Sequence, residues 1–278
     1  MPTSDWGDWL PRAIADAEPV GVSLWYLGCN GIVVKAADGT TVFVDPYFGT
    51  GDPPRTVRMI PVPFDPEDVP EADAILATHE HTDHVHGPSQ APILANTGAS
   101  FVGPADSVAV AREEEGWPEH YDVDPEAFRT VGPGDSLEIG SFDLHVETAH
   151  DPDATEPVSY VLEHEAGTIF HGGDTKPSDE FDRVGREYDV DLGVLAFGSV
   201  GMIPDKETRE PKRTRWYNDE NDVVEVASAL RLDRLLPSHW DVWKGLTADP
   251  TALYHHVRSF EYPERLEIVE IGDRVDLG

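Results

Sequence analysis

The sequence predicts an α/β fold in which layers of helices cover mixed β-sheets. Two observations carry this. Apolar runs of strand length alternate with helical segments along the 278 residues. Turn signals join several of those runs as antiparallel hairpins, which a purely parallel doubly wound sheet would not contain.

The elements follow in order. Trp6, Trp9, Leu10, Ala13 and Ile14 fall on one side of an amphipathic helix over residues 6–17. Val22 to Leu27 is an apolar strand. Gly31 to Ala36 and Thr40 to Val44 flank Ala37-Asp38-Gly39, a hairpin signal, and Asp45-Pro46 ends the second run. Residues 49–70 are rich in Gly and Pro and read as a loop. Ala74 to Ala77 is a short buried strand, and residues 105–115 are helical. Val131 to Val146 holds hairpin strands around Gly140-Ser141. Val158 to Leu162 pairs with Thr168 to Phe170 across Glu165-Ala166-Gly167. Leu192 to Phe197 is another buried strand. Asn218-Asp219 caps a helix to about Leu230, and Leu235-Leu236 is a short strand ending at His239. Asp249-Pro250 opens a last helix to about Phe260, and the tail to Val275 is strand. No internal boundary stands out, so residues 1–278 read as one domain.

Composition narrows the class. Hydrophobic residues make up 39% and the mean hydropathy is -0.38, which suits a soluble protein with a real core. No stretch approaches the roughly 20 apolar residues of a membrane helix. Asp5, Asp8 and Asp16 occupy the N-terminal segment without a basic, apolar leader pattern, and Cys29 is the only cysteine. A cytoplasmic location is the expectation. Cys29 itself reads as a small buried hydrophobe.

Lys and Arg total 20 against 54 acids, a net charge of -34. That surface repels nucleic-acid phosphate and anionic lipid, and excludes both as partners. The acids are spread along the chain. At molar salt the Debye length falls to about 3 Å and their mutual repulsion is screened, so a salt-accumulating, halophilic cytoplasm is the expected setting.

Chemistry concentrates in Thr78-His79-Glu80-His81-Thr82-Asp83-His84, with three His and one Asp in seven residues. Imidazole and carboxylate are ligands of catalytic zinc, manganese or iron. On an extended start, His79 and His81 point to one side, and the following turn can bring Asp83 and His84 to a second metal. The segment begins where a strand ends, the usual place for a site in an open α/β sheet. One loop cannot fill two coordination spheres. Further donors stand at strand ends: His150, Asp174 in His171-Gly172-Gly173-Asp174-Thr175, and His239 in Pro237-Ser238-His239-Trp240.

This ordered set, His79-x-His81-x-Asp83-His84, His150, Asp174 and His239, resembles the metallo-β-lactamase superfamily. The resemblance implies a four-layer αβ/βα sandwich with two divalent metals, zinc or manganese, at one edge. His79, His81 and His150 would hold one metal and Asp83, His84 and His239 the other, with Asp174 bridging. Asp45 in Val44-Asp45-Pro46 would orient the ligands from behind, as would His171. Trp6-Gly7-Asp8-Trp9-Leu10, Trp25-Tyr26-Leu27-Gly28-Cys29, Ile75-Leu76-Ala77-Thr78-His79, Ser238-His239-Trp240-Asp241-Val242-Trp243 and Ala248-Asp249-Pro250 are similar to the L-ascorbate-6-phosphate lactonase family. Lys176 stands where that family tends to carry another histidine. The implied activity is opening of a sugar-derived lactone, an ester, by a metal-bound hydroxide. Asp83 would orient the water and pass its proton to the leaving oxygen, with Asp174 as the other catalytic carboxylate. The family also implies assembly into a homo-oligomer. The rival activities are a small-molecule phosphodiesterase of the same fold and a non-catalytic metal-bound sensor or scaffold.

Substrate contacts have two readings. Lys206, Arg209, Lys212, Arg213 and Arg215, beside Trp216 and Tyr217, form either an anion grip or a solvated loop paired with nearby acids. Arg58 and Lys176 are similar candidates for an anionic substrate. Trp240 either walls the pocket or packs in the core. His86 reads as a neighbour of the site rather than a ligand.

Overall fold

The computed structural model describes Thr3, Ser4 and residues 6–278; Asp5 lies outside them. In chain order the strands begin with β1 (Val22–Gly28), β2 (Gly31–Ala36), β3 (Thr41–Val44), β4 (Ala74–Leu76), β5 (Ser100–Gly103) and β6 (Phe128–Thr130). They continue with β7 (Ser136–Ile139), β8 (Phe142–Thr148), β9 (Val158–His164), β10 (Gly167–His171) and β11 (Leu192–Ala196). Last come β12 (Gly201–Pro204), β13 (Pro211–Thr214), β14 (Arg234–Ser238), β15 (Arg265–Leu266) and β16 (Arg274–Leu277).

Two seven-stranded sheets result, in the orders β16-β1-β2-β3-β4-β5-β6 and β15-β14-β11-β10-β9-β8-β7. Each is mixed. β1, β2 and β3 pair antiparallel, whereas β3, β4 and β5 run parallel. In the second sheet β8, β9 and β10 are antiparallel and β10, β11 and β14 parallel. β12 and β13 form a separate two-stranded hairpin.

Alternation along the strands makes four layers. Leu24, Val34, Leu76, Leu144, Leu162 and Leu192 meet between the sheets. Residues one position away, such as Trp25, Val33 and Ile75, turn outward under helices. Helices α1 (Trp9–Ala15), α2 (Gly87–Thr97), α3 (Ala105–Ala109) and α4 (Trp117–Tyr121) cover the first sheet through Leu10, Ile93, Val108 and Trp117. Helices α5 (Phe181–Glu187), α6 (Glu220–Ala229) and α7 (Leu253–Val257) cover the second through Phe181, Val224 and Leu253. This is the αβ/βα sandwich. Strands with both faces covered read as continuous apolar runs, and β1 and β2 are buried throughout.

Several boundaries differ from the sequence expectation. Residues 6–8 stay outside α1, with Gly7 at a positive φ of 65°. The 105–115 helix is split by a π turn over Val110–Glu114. The last helix opens as a 3-10 turn at Pro250–Ala252 and ends at Val257. α2, α5 and the β12–β13 hairpin had no counterpart in the sequence reading. α2 carries Gly87, Pro88 and Pro92, which blur a helical pattern.

The fold brings the ends of β3, β4, β8, β10 and β14 to one edge. Loops from both sheets meet there: Val158 N donates to Thr78 O (2.9 Å) and Tyr160 Oη to Ala77 O (2.8 Å).

Candidate metal centre

Three groups of potential ligands stand at that edge: His79, His81 and Asp151; His79, His84 and Asp174; and Cys29, Asp83 and His239. The first group is tight. His79 Nε2 lies 3.0 Å from His81 Nδ1, and Asp151 Oδ2 lies 3.7 and 3.6 Å from those nitrogens. A second set surrounds His239 Nε2, with His84 Nε2 at 3.5 Å, Asp83 Oδ2 at 3.6 Å and Asp174 Oδ1 at 3.4 Å. Asp174 Oδ2 is 3.6 Å from His84 Nε2. Donors on a tetrahedron with bonds near 2.1 Å stand about 3.4 Å apart, so both sets have the spacing of ligands to one ion each.

The outer atoms of these histidines support the fit. His84 Nδ1 donates to Asp45 Oδ2 (2.7 Å), which leaves Nε2 as the lone-pair nitrogen. Thr78 Oγ1 donates to Asp45 Oδ2 (2.7 Å) and sits 3.0 Å from His79 Nδ1, so that ring also keeps Nε2 inward. His81 Nε2 donates to the Asp153 carbonyl (3.2 Å), leaving Nδ1 inward. Inside, Asp174 Oδ1 is buried without a hydrogen-bond partner among the described residues. A buried, unpartnered carboxylate oxygen facing imidazole lone pairs is the donor set of a bound cation.

Electrostatics divides the histidines: at His84 burial is outweighed by the Asp45 and Asp174 carboxylates, which raise it well above the usual imidazole range. Burial pushes His79 and His239 below the usual imidazole range, towards the neutral form that binds a metal. Burial also opposes the charge on Asp174, but His239 and His84 outweigh it and hold the carboxyl well below its ordinary range. Asp151 is raised by burial and by the neighbouring Asp174.

Backbone geometry sets these side chains. Cys29, Asp45 and His239 are non-glycine residues with φ of 59°, 46° and 65°. Such conformations cost on the order of 1–3 kcal/mol each and cluster at functional sites. His239 N donates to Cys29 O (2.6 Å), which ties the ends of β14 and β1 together. Gly173, at φ 59°, crosses so close to Thr78 that a Cβ would stand 2.8 Å from Oγ1.

The structure does not bring His150 to the cluster. His150 N donates to Thr175 Oγ1 (2.9 Å) and Lys176 N to His150 O (3.1 Å), and the ring packs edge-on to Phe181 at 5.5 Å. Its neighbour Asp151 faces His79 and His81 instead. Adjacent residues of an extended segment point opposite ways, so fixing His150 against α5 turns Asp151 inward. The acidic run Asp151-Pro152-Asp153 was the available signal for it.

Other expected contacts are redistributed. Asp45 accepts from Thr78 N, Thr78 Oγ1 and His84, behind the ligands. His171 Nε2 donates to Asn30 O (2.9 Å), and Asn30 Nδ2 reaches Asp45 Oδ2 at 3.4 Å. Arg58 is not free for substrate: its guanidinium donates to the carbonyls of Tyr47 (2.9 Å), Ile60 (3.0 Å) and Pro61 (2.9 Å). Lys176 Nζ donates to the Trp216 carbonyl. Arg215 pairs with Asp219 and Asp222. Trp240 packs under α6 and α7 with the second sheet's outer core, away from the cleft. Tyr217 stacks on the His239 ring at 4.1 Å. His86 Nδ1 bonds Ser89 Oγ (2.6 Å) against Tyr47, outside both donor sets.

The donor sets open onto a cleft of about 740 Å³. Its floor presents His81, Asp83, Asp151 and Asp174; the β12–β13 hairpin and Trp216 form the facing wall. Trp243 Nε1 donates to Asp83 Oδ2 (3.3 Å) and fixes that carboxylate at the floor.

Comparison with known proteins places the chain in a family. Residues 40–240 match the model of the beta-lactamase superfamily domain, and the chain belongs to that superfamily, as a metal-dependent hydrolase of metallo-β-lactamase fold. More particularly, it is 28% identical over 292 aligned positions to the probable L-ascorbate-6-phosphate lactonase UlaG of Escherichia fergusonii, covering 88% of this chain and 77% of that protein. The Salmonella gallinarum protein of the same name is also 28% identical, with the same coverage. Among solved structures, the metallo hydrolase Igni18 from Ignicoccus hospitalis superposes with a TM-score of 0.66 at 18% identity, covering 91% of this chain and 97% of that one. An isothiocyanate hydrolase from Delia radicum gut bacteria gives 0.67 at 16% identity, covering 92% and 99%.

Proposed function

We propose that this hydrolase opens a sugar-derived lactone with a pair of divalent metals, zinc or manganese, held by two donor sets. His79, His81 and Asp151 would hold one ion and His84, His239 and Asp83 the other, with Asp174 available to both sets. The observation that carries the reading is the two sets of donors, spaced 3.0–3.7 Å apart, facing a single cleft. The named activity of the similar lactonases supports the choice of bond.

When bound, such a pair of ions lowers the pKa of a shared water from 15.7 to about 7 and polarises a carbonyl. The chain's own residues do the rest. Asp83, fixed by Trp243 and half in the cleft, orients the attacking water and carries its proton to the ring oxygen that leaves. Asp45 and Thr78 hold the imidazoles in their productive tautomers. Tyr217 shields one face of His239 from water. The surface charge of -34 fits work at high salt, where it is screened.

The test is an assay panel. Protein loaded with Mn or Zn is offered sugar lactones, a small phosphodiester and nitrocefin. Lactone opening that disappears in Asp174→Ala is the expected result. Turnover of the phosphodiester without the lactones, or no turnover at full metal occupancy, contradicts it.

A further inference from the structure

Five of the chain's 20 Lys and Arg residues line the one cleft that holds the metal ligands: Arg55, Lys206, Lys212, Arg213 and Arg215. A body of net charge -34 repels an anion at long range, and acids such as Asp52, Asp153 and Asp205 line the same cleft, so the gathering of a quarter of the chain's basic residues there needs a reason. Two of the five are engaged by acids: Arg215 by Asp219 and Asp222, and Lys212 by Asp205 at 3.8 Å. Among the described residues, Arg55 has no ion pair, and its Nε is buried without any hydrogen-bond partner.

Arg55 is also positioned. Its guanidinium lies over the Trp216 ring, 5.2 Å from the centroid. Trp216 is fixed from behind, because Lys176 Nζ donates to its carbonyl. A guanidinium held over an aromatic face by a cation–π contact still offers N–H donors to a carboxylate or phosphate. Three residues on, Arg58 has the opposite fate, with its donors satisfied by three backbone carbonyls.

We propose that Arg55, held over the Trp216 ring and assisted by Arg213, is an anion subsite that takes a phosphate or carboxylate carried by the substrate away from the bond that breaks. This rests on the reading of the cleft as a small-molecule hydrolase site and names the residue that sets its preference for charged substrates. Lys176 is a positioning residue for it, acting through Trp216. At high salt, long-range attraction is screened within a few ångströms, so only direct contact of this kind selects an anion.

Calorimetric titration of the metal-loaded protein reads the subsite without turnover. The ligands are a hexose 6-phosphate, the corresponding uronate and the free hexose, in constant salt. The wild type binds one or both anions more tightly than the free hexose, and the stronger of the two identifies the anion. Arg55→Gln weakens the anion by about tenfold, the scale of a lost charge-assisted hydrogen bond. Arg213→Gln weakens it less, and Lys244→Gln, the same charge change outside the cleft, by no more than about twofold. Equal binding by wild type and Arg55→Gln, as for an anion held by the metals alone, overturns the proposal; so does an equal loss in Lys244→Gln. A protein that opens no lactone yet loses the anion in Arg55→Gln keeps the subsite and refutes only the lactone.

Discussion

The two walls of the cleft are built on opposite principles. The metal wall is buried and grows from strand ends of both sheets. His79, His84 and His239 are almost wholly inaccessible, and each is held by a hydrogen bond, a strained backbone or a stacked ring. The facing wall is a two-stranded hairpin outside both sheets, with Pro211, Lys212 and Arg213 exposed. One wall is preorganised for chemistry that is sensitive to ångström errors. The other presents long, exposed charged side chains. The difference teaches that changes in the first should alter metal content and rate together, whereas changes in the second should alter affinity.

The largest expected effect comes from Asp174→Ala. It faces His84 and His239 of one donor set and groups with His79 of the other, so its loss should reduce both metals, and activity by more than about a hundredfold. Elemental analysis with a rate assay on the same sample checks this; retained metal with lost activity would separate ligation from catalysis. Asp45→Ala should follow, with metal affinity down about 10–100-fold, the usual cost of removing a carboxylate behind a ligating histidine. Competition with a chelator reads it. Leu162→Ala, between the sheets, should cost about 2–5 kcal/mol of stability and leave the metal ratio of the folded protein unchanged. Loss of metal alone, without a fall in melting temperature, would mean that the walls are not independent of the core. The smallest effect is expected of the surface charge: melting should rise from dilute to molar KCl, and equal stability at both ends would remove salt from the account.

Much of the metal wall was legible in the sequence because its donors are local or punctuated. Thr78 to His84 packs four donors into one loop, and Asp174 follows two glycines at the end of a strand. Layering was legible because strand-length apolar runs alternate with helical segments, and the four-layer form followed from the resemblance carried by the ordered ligand motifs. What sequence reasoning missed depends on direction rather than residue type. His150 and Asp151 are adjacent, and only the bridge from residue 150 to Thr175 and Lys176 decides which faces inward. Arg55 and Arg58 are three apart in a Gly/Pro-rich loop without periodicity, and only the fold shows which one has its donors satisfied by carbonyls. Trp240 and Trp243 both follow His239 closely in sequence, yet one packs under helices and the other holds Asp83.

Metal stoichiometry across this neighbouring pair tests the centre most directly. Wild type and His150→Ala should each bind about two ions per chain, and Asp151→Ala about one. Loss of an ion in His150→Ala with both retained in Asp151→Ala would contradict the assignment of the first metal.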